Sequence, residues 1–354
     1  MTIMITGGAG FIGSNFIIDW FNHSDEKIIN LDKLTYSGNL ENLKEVTSKK
    51  NYKFIQGDIC DSDLIEKILA TYHCRAIINF AAESHVDRSI NGPGQFIQTN
   101  IVGTYRLLNS AYEYWRSQKK KKSGFRFLHI STDEVYGSLK VNEDPFLETN
   151  QYAPNSPYAA TKASSDHLVR AWHKTYGLPV ITTNCSNNYG PFQFPEKLIP
   201  LIIVNALNNK TIPIYGDGLQ IRDWLYVKDH TSAIRTVLER GSIGETYNIG
   251  GDCEKTNLSI AKTICLILDD AVPNKNKDSF ENLINFVEDR PGHDRRYAID
   301  THKIKNELHW SPRETLESGL KATIAWYLNN IDWVSNVTSG EYQDWIKTQY
   351  GIIN

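Results

Sequence analysis

Tyr158 and Lys162 stand four residues apart, a spacing that sets a phenol and an ammonium on one face of a helix. A free tyrosine ionises near pH 10 and is a poor base at neutral pH. A neighbouring ammonium, with any further positive charge bound alongside, favours the phenolate, which can then take a proton from an alcohol. A second set lies upstream, where Thr132, Asp133 and Glu134 are consecutive. A hydroxyl beside two carboxyls suits a hydrogen-bond donor, a general acid and a general base acting on one substrate. Each set also has an ordinary reading. Tyr-x-x-x-Lys is common by chance, and Thr-Asp-Glu is a frequent helix-capping sequence. Their weight comes from the elements that must hold them.

Those elements alternate. Apolar, β-branched runs fall at 2–6, 28–32, 52–56, 76–81, 126–131 and 179–184, several of them nearly continuous. Such runs fit parallel strands covered on both faces. Segments such as 11–21 and 95–114 between them are long enough for crossover helices. The pattern predicts a doubly wound α/β sheet, whose ligand crevice lies at the carboxyl ends of the strands. The Thr-Asp-Glu set follows the fifth run and so faces that crevice. After 184 the chain becomes rich in Gly, Pro, Asn and aromatics, as ligand-binding loops often are. Runs at 224–227 and 246–249 suggest brief returns to the sheet. From about 253 onward a smaller α/β lobe ending in amphipathic helices is expected.

A glycine turn joins the first run to the first helix. Gly7, Gly10 and Gly13 are spaced for a tight turn, close backbone approach to a pyrophosphate and close helix–strand packing. The helix N-terminus supplies unpaired N–H groups for the phosphates. Asp32 ends the second run, where its carboxylate suits ribose hydroxyls and repels a 2′-phosphate, so NAD is expected over NADP. Asp58 and Ile59 end the third run, within reach of an adenine. Phe80, Ala81, Ala82 and Ser84 follow the fourth, small enough for the backbone to run beside a flat cofactor.

Composition excludes other classes. Net charge is −3 over 354 residues, with no basic stripe for nucleic acid or an anionic membrane. The five cysteines, Cys60, Cys74, Cys185, Cys253 and Cys265, form no CxxC pair. An odd number without that spacing reads as reduced thiols acting as small hydrophobes. No leader is recognisable ahead of the first strand. The longest apolar run, 198–207, is too short to cross a bilayer. A soluble, cytoplasmic protein is expected, and the lysine run at 119–122 reads as a solvated helix end.

The glycine turn, in its Gly-x-x-Gly-x-x-Gly form, resembles that of the extended short-chain dehydrogenase/reductases, with a Rossmann-like NAD-binding domain. The stretches NFAAESHVDRSI, STDEVYG, SPYAATKA, NNYGPFQFPEKLIP, QIRDWLYVKDH, ETYNIGG and DRPGHDRRYAID narrow it. In kind and order they resemble the dTDP-glucose 4,6-dehydratase family over nearly the whole chain. The related epimerases, decarboxylases and GDP-mannose dehydratases usually lack Asp-Glu after the Thr or Ser, so Asp133-Glu134 discriminates. Phe192-Gln193 departs from the Tyr-His frequent there.

The resemblance implies a hydro-lyase reaction. Thr132 hydrogen-bonds the glucose 4-hydroxyl, and Tyr158, helped by Lys162, removes its proton as NAD takes the C4 hydride. Glu134 removes the C5 proton, Asp133 protonates the departing C6 hydroxyl, hydride returns to C6 and a proton is returned to C5. NAD is regenerated each cycle and so is retained. The resemblance adds Phe11, Ile12, Lys33, Leu34, Thr35, Thr99 and Asn188 to the cofactor side. It places Ser84, Asn187, Lys197, Leu198, Pro213, Ile214, Tyr215, Arg222, Asn257, Arg290 and His293 on the substrate. Lys197, Arg222 and Arg290 suit a diphosphate, and Tyr215 a base. No metal is implied. The lobes are expected at 1–185 with about 222–250, and at about 186–221 with 251–354. A homodimer is expected, with 95–114 and 164–176 as candidate interface helices. The alternative is an NAD-dependent UDP-sugar epimerase or decarboxylase of the same superfamily.

Overall fold

The structure is a computed structural model that describes residues 1–118, 124–272 and 278–338. The lysine run at 119–122 lies outside the described residues. The expected runs become β1 (Thr2–Thr6), β2 (Lys27–Asp32), β3 (Tyr52–Gln56), β4 (Ala76–Asn79), β5 (Arg126–Thr132) and β6 (Val180–Cys185). Shorter strands follow: β7 (Asn187–Tyr189), β8 (Ile212–Tyr215), β9 (Ile221–Tyr226), β10 (Thr246–Ile249), β11 (Glu254–Thr256) and β12 (Ile284–Val287). Seven strands pair in the order β3-β2-β1-β4-β5-β6-β10, every pair parallel. The winding direction reverses between β1 and β4, which opens a crevice at their carboxyl ends.

Helices α1 (Phe11–His23), α2 (Ser62–Tyr72), α3 (Val86–Asn91), α4 (Pro93–Phe96), α5 (Thr104–Ser117) and α6 (Pro157–Tyr176) belong to the first half of the chain. The second half adds α7 (Leu198–Leu207), α8 (Val227–Arg240), α9 (Asn257–Ala271), α10 (His302–Leu308), α11 (Leu316–Asn329) and α12 (Ile331–Val337). Leu107, Leu108, Ala111 and Val169 of α5 and α6 pack on one face of the large sheet. Phe16, Ile17 and Trp20 of α1 and Ile234, Val237 and Leu238 of α8 pack on the other. Each such buried side chain contributes about 1.5–3 kcal/mol. A separate core joins β8, α7, α9 and α11 through Ile202, Ile214, Ile264 and Ile324. Ile304, Leu308 and Trp310, from the C-terminal stretch, pack with the large sheet's core. No described helix is long and apolar enough to cross a membrane.

Three differences from the sequence reading have physical causes. The fourth run ends as a strand at Asn79, two residues early, because the glycine turn crosses it there. A Cβ on Gly7 would lie 2.6 Å from the Ala81 nitrogen. The run at 224–227 does not rejoin the large sheet: β9 pairs with β7 and β11 in a small sheet of its own. Asp223 caps that arrangement by accepting from the Gly251 and Cys253 N–H groups (2.8 and 2.6 Å). The run at 246–249 does join it, beside β6. Finally, the helix expected at 95–114 contains a wide π-helical stretch, Ile97–Gly103. The Asn100 side chain accepts from the Glu83 N–H (2.9 Å) and donates to Thr161 Oγ1 (2.9 Å). Such bulges gather at functional sites, and Thr99 within this one faces the crevice. All five cysteines are free; Cys74, Cys185 and Cys265 are buried, while Cys60 and Cys253 are only partly covered.

Candidate active site

The glycine turn leaves β1 with Gly7 at φ +71°, a conformation that suits glycine. A Cβ on Gly13 would meet the Gly7 carbonyl at 2.3 Å, so helix and turn touch there. At Gly10 an added Cβ would meet nothing nearer than 3.4 Å, which leaves the turn's outer side open. The start of α1 has no side-chain cap and no acidic residue in its first turn. Its N–H groups and positive dipole end are therefore available to an anion. Asp32 accepts from the Ala9 N–H and the Leu34 N–H, both at 2.8 Å. Burial raises its pKa against those two backbone bonds. An open backbone cradle, an uncapped helix start and a carboxylate at the end of β2 fit a dinucleotide.

A single cavity runs from this turn to the chemical groups. Gly7, Gly10, Phe11, Ile12 and Gly13 line one end with Asp32, Lys33, Thr35, Asp58 and Ile59. Phe80, Ala81, Ala82, Ser84 and Thr99 line its middle, and Thr132, Asp133, Glu134, Tyr158 and Lys162 its far end, with Asn187, Asn188 and Lys197 beyond. Leu34 is not among the lining residues; at φ +58° it shapes the turn through its bond to Asp32. Lys33 pairs with Asp58 (2.8 Å) across the cavity's outer wall. The sequence reading missed Ser37, Gly38, Gly57, Glu83, Cys185, Ser186, Phe194 and Glu196, which also line it. Glu83, Phe194 and Glu196 lie within the quoted family stretches but were not singled out, while Ser37, Gly38, Gly57, Cys185 and Ser186 carry no motif and are set there by the fold.

Thr132 is the last residue of β5 and caps the short turn Asp133–Tyr136, its Oγ1 accepting from the Glu134 N–H (3.3 Å). The capping role and the site position therefore coincide. Thr132 also donates to Asp133 Oδ1 (3.3 Å), while Asp133 Oδ2 is buried without a hydrogen bond. Burial, then the neighbouring Glu134, hold the Asp133 carboxyl protonated well above its ordinary range. Burial raises Glu134 too, and Arg290, Lys197 and Arg222 oppose it in part. The cations thus set the two carboxyls apart, in the sense an acid–base pair requires.

Tyr158 sits in the first turn of α6, whose Ser156 cap accepts from the Ala159 N–H (3.1 Å). One turn on, Lys162 Nζ donates to the Ile130 carbonyl (2.8 Å). The chain alone does not produce the phenolate that Tyr–Lys spacing suggests. Burial, then Glu134, push the Tyr158 pKa well up, and a bond from Thr132 only partly opposes this. Burial likewise lowers Lys162, with Asp166 one turn further on working against it. Asp166 accepts from Ser131 (2.8 Å) and Tyr152 (3.0 Å) and lies 3.3 Å from His129.

The residues expected on a nucleotide lie in two groups. Arg290, Tyr215 and His293 gather around Asp87, the second residue of the DRSI-containing helix α3. Arg290 pairs with Asp87 Oδ1 (2.8 Å), and Tyr215 donates to Asp87 Oδ2 (3.2 Å). The His293 ring meets Tyr215 edge-on at 6.0 Å and bonds Asp289 (2.6 Å). Burial, then Arg290, bring His293 down to about 4, so it is uncharged at neutral pH. Arg222 lies 4.3 Å over the Tyr297 ring and donates to the Ile221 and Asp294 carbonyls. Lys197 donates to the Ser84 carbonyl (2.9 Å). Pro213 and Ile214 are buried, and Ile214 belongs to the second core; Leu198 packs against that core at the start of α7. Asn257 opens α9, its N–H bonded to the Gln220 carbonyl (3.0 Å). Asp87, which gathers the first group, was not singled out as a site residue. Among the described residues no cluster of His, Cys, Asp or Glu is arranged to hold a metal.

A crevice that joins a dinucleotide turn to two unlike carboxyls defines an enzyme of the nucleotide-sugar dehydratase class, and the family model described as GDP-mannose 4,6 dehydratase matches residues 4–323. Within that class the chain belongs to the dTDP-glucose 4,6-dehydratase family. It is 56% identical to the dTDP-glucose 4,6-dehydratase of Shigella flexneri and 57% to that of Salmonella typhimurium, each over 99% of both chains. A crystal structure of the Bacillus anthracis dTDP-glucose 4,6-dehydratase, in complex with NAD, superposes with a TM-score of 0.84 at 47% identity, covering 95% of this chain and 99% of that one. The UDP-glucose 4-epimerase of Thermotoga maritima matches at 29% identity, with a TM-score of 0.82 over 94% of this chain and 100% of that one.

Proposed function

We propose that this chain is an NAD-dependent hydro-lyase that converts dTDP-glucose to dTDP-4-keto-6-deoxyglucose. The observation that carries the reading is the Asp133–Glu134 pair, two adjacent carboxyls lining the cavity with Tyr158, of which Asp133 is pushed well up by burial while Glu134 has three cations working against its burial. Oxidation or epimerisation at C4 needs a base for the 4-hydroxyl alone. Elimination across C5 and C6 needs a carbon base and a leaving-group acid as well. That requirement sets the UDP-sugar epimerases and decarboxylases aside.

The family resemblance and the residues gathered in the cavity support the following roles. Thr132 hydrogen-bonds the 4-hydroxyl, and Tyr158 takes its proton with Lys162 alongside. Glu134, drawn toward its anion by Arg290, Lys197 and Arg222, removes the C5 proton. Asp133 delivers its proton to the C6 hydroxyl as water leaves. NAD, when bound, supplies the acceptor for the C4 hydride, its donor at C6 and a positive ring beside Tyr158. The glycine turn, Asp32, Asp58 and the backbone at 80–84 hold it, with Thr99 and Asn188. Arg222, Arg290 and Lys197 face the diphosphate, and Tyr215 and Asn187 the remainder of the nucleotide. Residues 1–185 with about 222–250 make the cofactor lobe, and about 186–221 with 251–354 the substrate lobe. The protein works as a homodimer through α5 and α6, whose exposed Tyr105 and Tyr176 support an interface there. Free cysteines suit a cytoplasmic, reducing setting.

Following a deuterium at C4 of dTDP-glucose tests the reaction. The label is expected at C6 of a 4-keto-6-deoxy product. Label kept at C4 with no water lost would sink the reading.

A further inference from the structure

Trp333 of α12 is buried and bonded across the molecule to the cofactor turn. Its indole Nε1–H donates to Asn42 Oδ1 (2.8 Å), 291 residues earlier. Asn42 Nδ2 in turn donates to the Ala9 carbonyl (3.0 Å), which also accepts from the Asn39 N–H (3.0 Å). Ala9 is the middle of the glycine turn, and its own N–H is held by Asp32 (2.8 Å). The turn is therefore fixed from one side by a carboxylate and from the other by a chain that ends on Trp333. Ser37 and Gly38, just before Asn39, line the cavity.

The same indole also packs beside another stretch of the cavity lining. Its ring lies 5.0 Å from Trp326, 6.2 Å from Tyr327 and 6.2 Å from Phe192. Phe192 lines the cavity at φ +66°, a conformation that a bulky side chain keeps only when its surroundings hold it. The Trp326 ring holds it at 4.8 Å, and Tyr327 donates to the next carbonyl, that of Gln193. Asn15 of α1 donates to the Pro191 carbonyl (2.9 Å). This is also the stretch where Phe192-Gln193 departs from the family's frequent Tyr-His. One side chain thus links two stretches of the lining, with a hydrogen bond toward the glycine turn and an edge-on ring contact with Phe192.

We propose that Trp333 is a positioning residue that latches the cofactor cavity, so that loosening it speeds release of bound NAD. The inference rests on the reading of this cavity as an NAD site. A prosthetic cofactor must survive many turnovers without leaving, and a bond that braces its phosphate turn from the far end of the chain serves that need. Tryptophan is the side chain that offers both an N–H donor and a ring of this breadth.

Trp333→Phe keeps most of the ring and removes the donor, leaving Asn42 Oδ1 unpaired in a buried place. Asn42→Asp keeps the acceptor for Trp333 and removes the donor to Ala9. Ile264→Val, in the second core, serves as a control for destabilisation away from the turn. Each holoprotein is freed of external NAD, and the loss of bound NAD is followed by trapping it with an NAD-consuming enzyme. Loss of one buried hydrogen bond is expected to speed release about five- to tenfold in Trp333→Phe and Asn42→Asp, with the control unchanged. Release at the wild-type rate in both latch variants, or equal acceleration in Ile264→Val, overturns the latch. Wild-type protein that neither carries nor binds NAD overturns the cofactor reading itself, and the latch with it.

Discussion

The two ends of the crevice are built on different principles. At the cofactor end the structure offers backbone: Gly10 stands open, α1 begins uncapped, and Asp32 and Asn42 brace the turn between them. The residues proposed for the nucleotide, Arg290, Tyr215 and Arg222, do not line that cavity and already have partners. Arg290 and Tyr215 share Asp87, while Arg222 is bonded to two carbonyls and covered by Tyr297. Backbone donors cost nothing to keep waiting, because a helix start is unsatisfied by construction. A buried guanidinium without a counter-charge is expensive. The difference teaches that the cofactor end is preformed for a ligand, whereas on the proposed function Arg290, Tyr215 and Arg222 would have to exchange internal bonds for substrate bonds at each turnover.

The chemical groups between the two ends set the largest expected effect. Glu134→Gln is expected to cut turnover about 10³-fold while leaving NAD bound. Loss of NAD along with activity, read from the absorbance of the purified protein, would make Glu134 part of the preformed end instead. Next, Arg290→Gln should raise KM for dTDP-glucose about ten- to a hundredfold, the worth of a charge-assisted bond. A fall in kcat without a rise in KM would show that Arg290 acts on the chemistry. Asp87→Asn tests the exchange directly. With the competing carboxylate removed, KM is expected to fall about two- to fivefold, and an unchanged KM would mean that Arg290 never leaves Asp87. The smallest effect is on stability. Asp133 is protonated in the fold well above its ordinary range because of burial and Glu134. Its contribution is complete below the unfolded carboxyl pKa and is lost as pH rises through the raised folded value. Asp133→Asn escapes that loss, so its melting temperature should exceed the wild type's by about 2–5 °C at pH 8. The gap should close as the pH falls toward the ordinary carboxyl range; a gap constant with pH would place its origin elsewhere.

The cofactor end was far more legible in the sequence than the nucleotide end, and for the same reason. A glycine turn, an acidic strand end and Tyr158–Lys162 are local patterns: spacing along the chain fixes spacing in space. Asp133 and Glu134 were legible because β5 ends at Thr132 and aims them into the crevice. Asp87 was not, since its partners Tyr215 and Arg290 lie 128 and 203 residues away. The run at 224–227 was misplaced because a strand's composition does not say which sheet accepts it. Pro213 and Ile214 were expected from the resemblance, yet both are buried, and Ile214 serves a core whose existence depends on α7, α9 and α11 together. The raised Tyr158 pKa was hidden as well, because burial outweighs a lysine one turn away and burial is a property of the whole fold.

The arrangement of β10 has a consequence for synthesis. The large sheet is not complete at residue 185, since its last strand arrives only at Thr246–Ile249, after much of the second core has been made. A nascent chain up to β6 therefore presents an open, parallel sheet edge, the kind that invites pairing with other chains. Closing it requires contacts far apart in sequence, which slows folding. The cofactor-binding half cannot mature as an independent N-terminal unit, and truncations that stop short of residue 250 should leave the ribosome aggregation-prone, however complete their glycine turn.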